Sequence, residues 1–82
     1  MTYVVYVLRS KEGKFYKGLT SNLERRLKEH RAGGTRTTSR MTAIEVVYTE
    51  TCKSFAEARK RELYLKTSAG RRFIKKRLAM GR

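Results

Sequence analysis

The sequence predicts an α+β domain with three strands and about three helices. Three observations point there: strand-like runs rich in β-branched and aromatic residues, helical segments that open on Ser-rich caps, and a glycine-bearing tight loop between the first two strands. At 82 residues the chain has room for one domain, 1–82, and no proline or repeat interrupts it.

The run YVVYVL, Tyr3 to Leu8, is apolar throughout and reads as a strand buried on both faces, hence central in a sheet. SKEGK follows and then FYKG, Phe15 to Gly18. Gly13 can supply the left-handed position of a three-residue loop, Lys11, Glu12 and Gly13. That loop makes the two strands antiparallel and sets Ser10 against Lys14, Leu8 against Tyr16 and Tyr6 against Gly18. Tyr6 and Tyr16 then share a face as diagonal neighbours. Gly18 is expected to leave open space beside Tyr6.

Ser21-Asn22-Leu23-Glu24 fits a capping box, so the first helix is expected from Ser21 to the stop at Gly33-Gly34. Arg26 and His30 stand four apart on one face of it; Glu24–Lys28 and Arg25–Glu29 belong to its wet side. TRTTSRMT, 35–42, reads as a polar basic loop, and Ile44 to Thr49 as the third strand. Ser54-Phe55-Ala56-Glu57 is a second capping box, opening a helix to about Thr67. TSAG is expected to break it, with a third helix from about Gly70 to Met80 placing Phe73, Ile74 and Leu78 inward.

Lys and Arg total 21 against 7 acidic residues, a net charge of +14. So large a charge on so small a domain calls for a polyanionic partner, nucleic acid first and an anionic membrane surface second. Tyr3–Leu8 is far too short to span a bilayer and follows no basic leader, so no membrane role is expected. Cys52 is the sole cysteine, which excludes an internal disulfide and suits a reducing, cytoplasmic compartment. One His and one Cys cannot build a four-ligand zinc site. A Ser-His-Asp triad has no Asp to use, although Glu can serve. No carboxylate cluster for two-metal chemistry and no phosphate-binding glycine loop is visible.

The helix after Ser54 holds a further oddity. Phe55, Ala58 and Leu65 define its core-facing stripe, flanked by Leu63, and Glu62 falls inside that stripe. A carboxylate there is costly unless it is paired or binds a metal. Its ordinary explanation is a pair with Arg59 or Lys66, or a place at the stripe's frayed end. Taken singly, His30 reads as a solvated residue of a basic helix, Arg26 as one cation among many, and Tyr6 and Tyr16 as strand aromatics.

Together these positions resemble a family. VVY (Val4, Val5, Tyr6), YKG (Tyr16, Lys17, Gly18), Arg26, His30 and Glu62 look like the GIY-YIG nuclease superfamily. The likeness covers nearly the whole chain: about ten residues separate the two tyrosines, ten more lead to the arginine and four to the histidine. FAEARKRELYLK resembles the family helix whose second glutamate holds a divalent metal. The closest likeness is to small single-domain bacterial members, similar to the nuclease domains of the excision-repair endonuclease and of some homing endonucleases. Two motif positions depart. Val4 stands for the first glycine, and Lys17 for an apolar residue, on the face away from Tyr16, where it can snorkel into the basic surface.

The resemblance implies that the three strands form one small antiparallel sheet flanked by helices, with one Mg²⁺ or Mn²⁺ in a shallow basic groove. It implies Glu62 as the protein's metal ligand, Tyr6 as general base, Tyr16 as an orienting hydroxyl, Arg26 on the scissile phosphate and His30 assisting proton traffic. Cationic neighbours are expected to favour the Tyr6 phenolate. The implied activity is metal-dependent endonucleolytic hydrolysis, structure-selective rather than sequence-selective, on DNA in preference to RNA and of a kind used in DNA repair. Lys17, Arg25, Arg36, Arg40, Lys66, Arg71 and Arg72 are candidate phosphate contacts, each equally readable as solvated surface. With no second domain to read sequence, a protein partner can supply specificity, and a nucleoid association fits the charge. The rival reading is a non-catalytic basic nucleic-acid-binding protein, either an inactive domain of this fold or a ribosome-associated one.

Overall fold

The computed structural model describes residues 2–11, 13–32 and 44–80. The elements run β1 (Tyr3–Arg9), β2 (Phe15–Thr20), α1 (Leu23–Arg31), β3 (Glu45–Cys52), α2 (Phe55–Leu65) and α3 (Ser68–Met80). The three strands form one antiparallel sheet in the order β2-β1-β3. The expected register holds: Leu8 pairs with Tyr16 and Tyr6 with Gly18. The loop closes through Ser10 N–H to the Lys14 carbonyl and Gly13 N–H to the Ser10 carbonyl, both 2.9 Å. Gly13 takes φ +86°, the left-handed position the loop requires.

Strand alternation divides the sheet into two working faces. Val5 and Val7 of β1 join Cys52, Ala58, Leu65 and Ile74 in the apolar core beneath α2 and α3. Tyr6 and Leu8, equally buried, fall on the opposite face, where His30 of α1 lies. A register shift against β3 between Val7 and Leu8 adds one residue there. Val47 and Tyr48, neighbours in sequence, accordingly both pack against the core. Arg61 of α2 clamps β3 by two parallel bonds to Glu50, 2.9 and 2.7 Å, and stacks over Tyr64 and Phe73. Burial and the neighbouring Glu50 push the Tyr48 phenol up to about 12.

Several boundaries depart from expectation. Asn22, not Ser21, caps α1: its side-chain oxygen accepts from Arg25 N–H at 3.0 Å, and Thr20 Oγ1 accepts from Asn22 N–H at 3.1 Å. The helix ends at Arg31, capped by Ala32; Gly33-Gly34 and the loop 35–42 lie outside the described residues. β3 runs on to Cys52 because Val5, Val4 and Tyr3 pair with Glu50, Thr51 and Cys52. Ser54 caps α2 as expected, accepting from Glu57 N–H at 3.2 Å. The stripe of α2 is narrower than periodicity suggested. Ala58 and Leu65 are fully buried, but Phe55 is 54% exposed at the helix start, where its ring meets Tyr3 edge-on, and Leu63 is 48% exposed.

α3 begins earlier than expected, at Ser68, because Thr67 acts as a cap rather than a break. Its hydroxyl accepts from Gly70 N–H at 3.1 Å and donates to the Tyr64 carbonyl at 2.6 Å. Gly70 is buried, and a methyl there would drive into the Tyr64 carbonyl oxygen and the Leu65 backbone. These are main-chain atoms that cannot rotate aside. Gly70→Ala should therefore destabilise the protein by about 1–3 kcal/mol, overriding the roughly 1 kcal/mol by which alanine ordinarily favours a helix. Urea unfolding checks this: a midpoint equal to or above wild type would contradict the close contact.

Candidate active site

β2 is an edge strand, and the face it shares with Tyr6 carries Tyr16 and Gly18. Gly18 does not leave open space beside Tyr6, as the sequence suggested. The Tyr6 ring itself fills it: a Cβ on Gly18 would stand 2.6 Å from the Tyr6 hydroxyl and 2.8 Å from Cζ. The glycine is what lets the phenol lie down across β2. Tyr6 is consequently wholly buried, contrary to the open space expected beside it, whereas Tyr16 is half-buried.

α1 brings two residues onto this face, one turn apart. His30, 2% exposed, places Nε2 2.9 Å from the Tyr6 hydroxyl. Its ring stands edge-on to Tyr6 and to Tyr16, with centroids 5.9 and 5.0 Å away, and the two tyrosine rings are 6.2 Å apart. The Arg26 guanidinium lies beside both phenols and is bonded to Glu29 at 2.9 Å. Spacing placed Glu29 on the wet side with Arg25, and that pair exists at 3.5 Å. The shorter contact belongs to Arg26, so Glu29 anchors the cation over the tyrosines. Only its i+3 spacing hinted at this.

Electrostatics qualify the expected base. Burial raises the Tyr6 phenol above its usual range, and the nearby Arg26 offsets this only in part. The phenol is therefore neutral here, where cationic neighbours were expected to favour the phenolate. Burial, followed by the charge of Arg26, lowers His30, so its imidazole is neutral near pH 7. With the ring proton on Nδ1, Nε2 accepts the Tyr6 hydroxyl proton. The Tyr6 and Glu29 contacts raise Arg26, which stays cationic.

Glu62 lies on α2, which packs on the face of the sheet opposite Tyr6. It is 7% exposed on α2, and both oxygens are engaged: Arg59 donates to Oε1 at 2.5 Å, and Lys66 to Oε2 at 3.5 Å. Both pairings that its position allowed are thus present. Lys66 also lines a hollow of about 320 Å³ with Phe15, Tyr16, Lys17 and Arg71, at the β2 edge where the two faces meet. Through Lys66, then, Glu62 adjoins the hollow that Tyr16 lines. Among the described residues no three His, Cys, Asp or Glu side chains converge. A single buried carboxylate beside a cation-lined hollow nonetheless fits a hard divalent cation, which tolerates one protein oxygen when water and substrate supply the others.

The other candidate cations divide. Lys17, Lys66 and Arg71 line the same hollow. Lys17, paired with Val7 on the face away from Tyr16, snorkels past the Phe15 ring, and burial with the charges of Arg71 and Lys66 lowers its ammonium. Arg25 lines a separate hollow at the start of α1, with Asn22, Arg26 and Glu29. Arg72 is exposed on α3, and Arg36 and Arg40 lie outside the described residues. Of the motif residues, Val5 belongs to the core and Val4 is half-buried opposite Thr20.

Comparison with known proteins bears on the family and the fold. The family model described as the GIY-YIG catalytic domain matches residues 2–77. A UPF0213 protein of Desulfotalea psychrophila is 39% identical over 66 residues, covering 78% of this chain and 60% of that protein, so the match spans less than two thirds of the relative. A UPF0213 protein of Staphylococcus haemolyticus is 34% identical over 74 residues, covering 89% of this chain and 90% of the relative. The solution NMR structure of a UPF0213 protein from Bacillus halodurans superposes with a TM-score of 0.59 at 29% identity, over 93% of this chain and 84% of that one. The family model matches over nearly the full length, the three-stranded antiparallel sheet is shared with the solved relative, and the chain belongs to the GIY-YIG catalytic domain family.

Proposed function

We propose that this domain is a metal-dependent endonuclease that hydrolyses phosphodiester bonds in nucleic acid, selecting DNA by structure rather than sequence. The observation that carries the reading is the 2.9 Å hydrogen bond between the Tyr6 hydroxyl and His30 Nε2, inside a cluster that also holds Arg26 and Tyr16. A buried phenol is a poor base by itself, but a relay removes the difficulty. Tyr6 takes the proton of the attacking water as its own proton passes to His30 Nε2. Water oxygen bonds to phosphorus, the bond to the leaving oxygen breaks, and that oxygen takes a proton from solvent. Arg26, whose side chain is 36% exposed, turns onto the phosphate, where its planar fork suits the anion, and so uncovers Tyr6 to water. Tyr16 orients the phosphate at the hollow. Glu62 would hold the Mg²⁺ or Mn²⁺, which supplies charge stabilisation to the phosphoryl oxygens when bound.

Among the described residues no helix is long and apolar enough to cross a membrane. A cytoplasmic setting near the nucleoid, with a repair role and a partner that supplies specificity, fits the net charge of +14. Incubation with branched, nicked and linear DNA and RNA, with Mg²⁺, Mn²⁺ or EDTA, tests the reading. Cleavage of some member with metal and none in EDTA supports it. Binding without cleavage of any member favours the non-catalytic alternative, which the occupied Glu62 oxygens also suit.

Affinity should depend steeply on salt, since a net charge of +14 implies many displaced counterions. Removing one phosphate contact, as in Arg71→Gln, should reduce the log–log slope by about 1. A salt titration on a generic duplex measures both, and a flat dependence would contradict nucleic-acid binding in either reading.

A further inference from the structure

Two facts about Glu62 go beyond its role as a ligand. Its oxygens are already held by the chain's own cations, Arg59 and Lys66. Those cations are half exposed, with side-chain accessibilities of 51% and 49%, while the carboxylate is only 9% accessible. Lys66 has a second allegiance. It stands with Lys17 and Arg71 around the hollow at the β2 edge, and among the described residues neither Lys17 nor Arg71 has a carboxylate partner. Three cations around one hollow share one acid, and Lys66 contributes the contact. The charge of Lys66 also disfavours the Lys17 ammonium, so the hollow is short of anions.

We propose that Lys66 is an internal competitor for the metal site, holding Glu62 until nucleic-acid phosphate enters the hollow and draws the ammonium away. This rests on the reading of Glu62 as the metal ligand. One lysine cannot neutralise Glu62 and a phosphate at full strength together. Phosphate in the hollow therefore frees a carboxylate oxygen, and a cation on Glu62 frees a lysine for phosphate. The coupling is reciprocal by thermodynamic necessity. Arg59, on the other oxygen, keeps the buried carboxylate compensated while Lys66 is away. The domain thereby binds its divalent ion weakly when free and more tightly on substrate, through a contact already visible without either.

The test uses binding rather than turnover. Mn²⁺ affinity is measured by calorimetry without nucleic acid for wild type, Lys66→Met, Glu62→Gln and the double variant. Oligonucleotide affinity is measured for the same four proteins in EDTA. Lys66→Met should bind Mn²⁺ about fivefold tighter than wild type, and the gain should vanish with Glu62→Gln. In EDTA, Glu62→Gln should tighten oligonucleotide binding, because Lys66 is released, and should do so far less in the Lys66→Met background. Removing a negative charge strengthens binding in any background, so the difference between backgrounds carries the result. Lys66→Gln repeats the comparison should the Met variant unfold. Mn²⁺ binding that depends on Glu62 but is no tighter in either Lys66 variant overturns the competition and leaves the nuclease reading standing. Mn²⁺ binding indifferent to Glu62→Gln in every background overturns both the competition and Glu62 as ligand.

Discussion

Glu62→Gln removes metal-dependent cleavage, by about 10³-fold or more, while the fold persists and nucleic-acid binding is not weakened. The size follows from what is lost. A divalent ion contributes several kcal/mol of charge stabilisation, each 1.36 kcal/mol being about tenfold in rate, and Glu62 is the carboxylate placed to hold it. Glutamine keeps the volume between Ala58 and Leu65, so no cavity opens in the core. Its one carboxamide oxygen can still accept from Arg59, though without charge, while Lys66 loses its acceptor. Cleavage assays on a substrate the wild type cuts, with circular dichroism to verify the fold, decide the matter. Equal cleavage by the variant would remove Glu62 from the site.

Tyr6→Phe should cost about 10²–10⁴-fold in rate, the usual worth of a general base, with substrate affinity unchanged. Phenylalanine fills the same space over Gly18 but cannot pass a proton to His30. Tyr16→Phe should cost less, since Tyr16 lines the hollow and loses one orienting hydrogen bond, worth roughly 1 kcal/mol. The pH profile distinguishes the relay from a simple phenolate. His30 must be neutral to accept the proton, and its pKa lies below the ordinary 6.5. The wild-type rate should therefore hold as pH falls through 6.5 and drop only at lower pH, when the imidazole gains its own proton. His30→Ala should be slow and lack that acid limb. A Tyr6→Phe protein of full activity would end the role of Tyr6, and a larger loss in Tyr16→Phe would transfer the base to Tyr16.

Much of this architecture was legible in residue order because its determinants are local. The loop Lys11–Gly13 set the hairpin register, and the register put Tyr6 and Tyr16 on one face. Spacing of four put Arg26 and His30 on another face that meets it. The failures arise where a choice depends on contacts between distant segments or on competition between equals. Gly18 announces close approach, but not whether the neighbour is a substrate or the protein's own ring. Ser21 and Asn22 are equally good caps, and Thr20 tips the choice to Asn22. Glu29 is within reach of both Arg25 and Arg26, and tertiary placement of α1 decides which cation it holds more closely. Phe55 satisfies the helical period yet stands at the end of the helix, where little remains to cover it. The Glu50–Arg61 clamp joins residues eleven apart on different elements, beyond any periodic pattern.

The hairpin loop acts on the chain well past its own turn. β1 carries core valines on one face and Tyr6 on the other, so which residues become core and which become site is a matter of parity. The bonds between Ser10, Gly13 and Lys14, with Gly13 at φ +86°, fix that parity for β2. A one-residue insertion or deletion there would oppose Tyr6 to Lys17 or Leu19 and send Tyr16 to the helix-covered side. Side-chain substitutions in Lys11–Gly13 are local changes, but changes in its length rewrite the active site from a distance. Loop length, rather than any residue touching substrate, is the most economical way for this domain to lose its chemistry while retaining its composition.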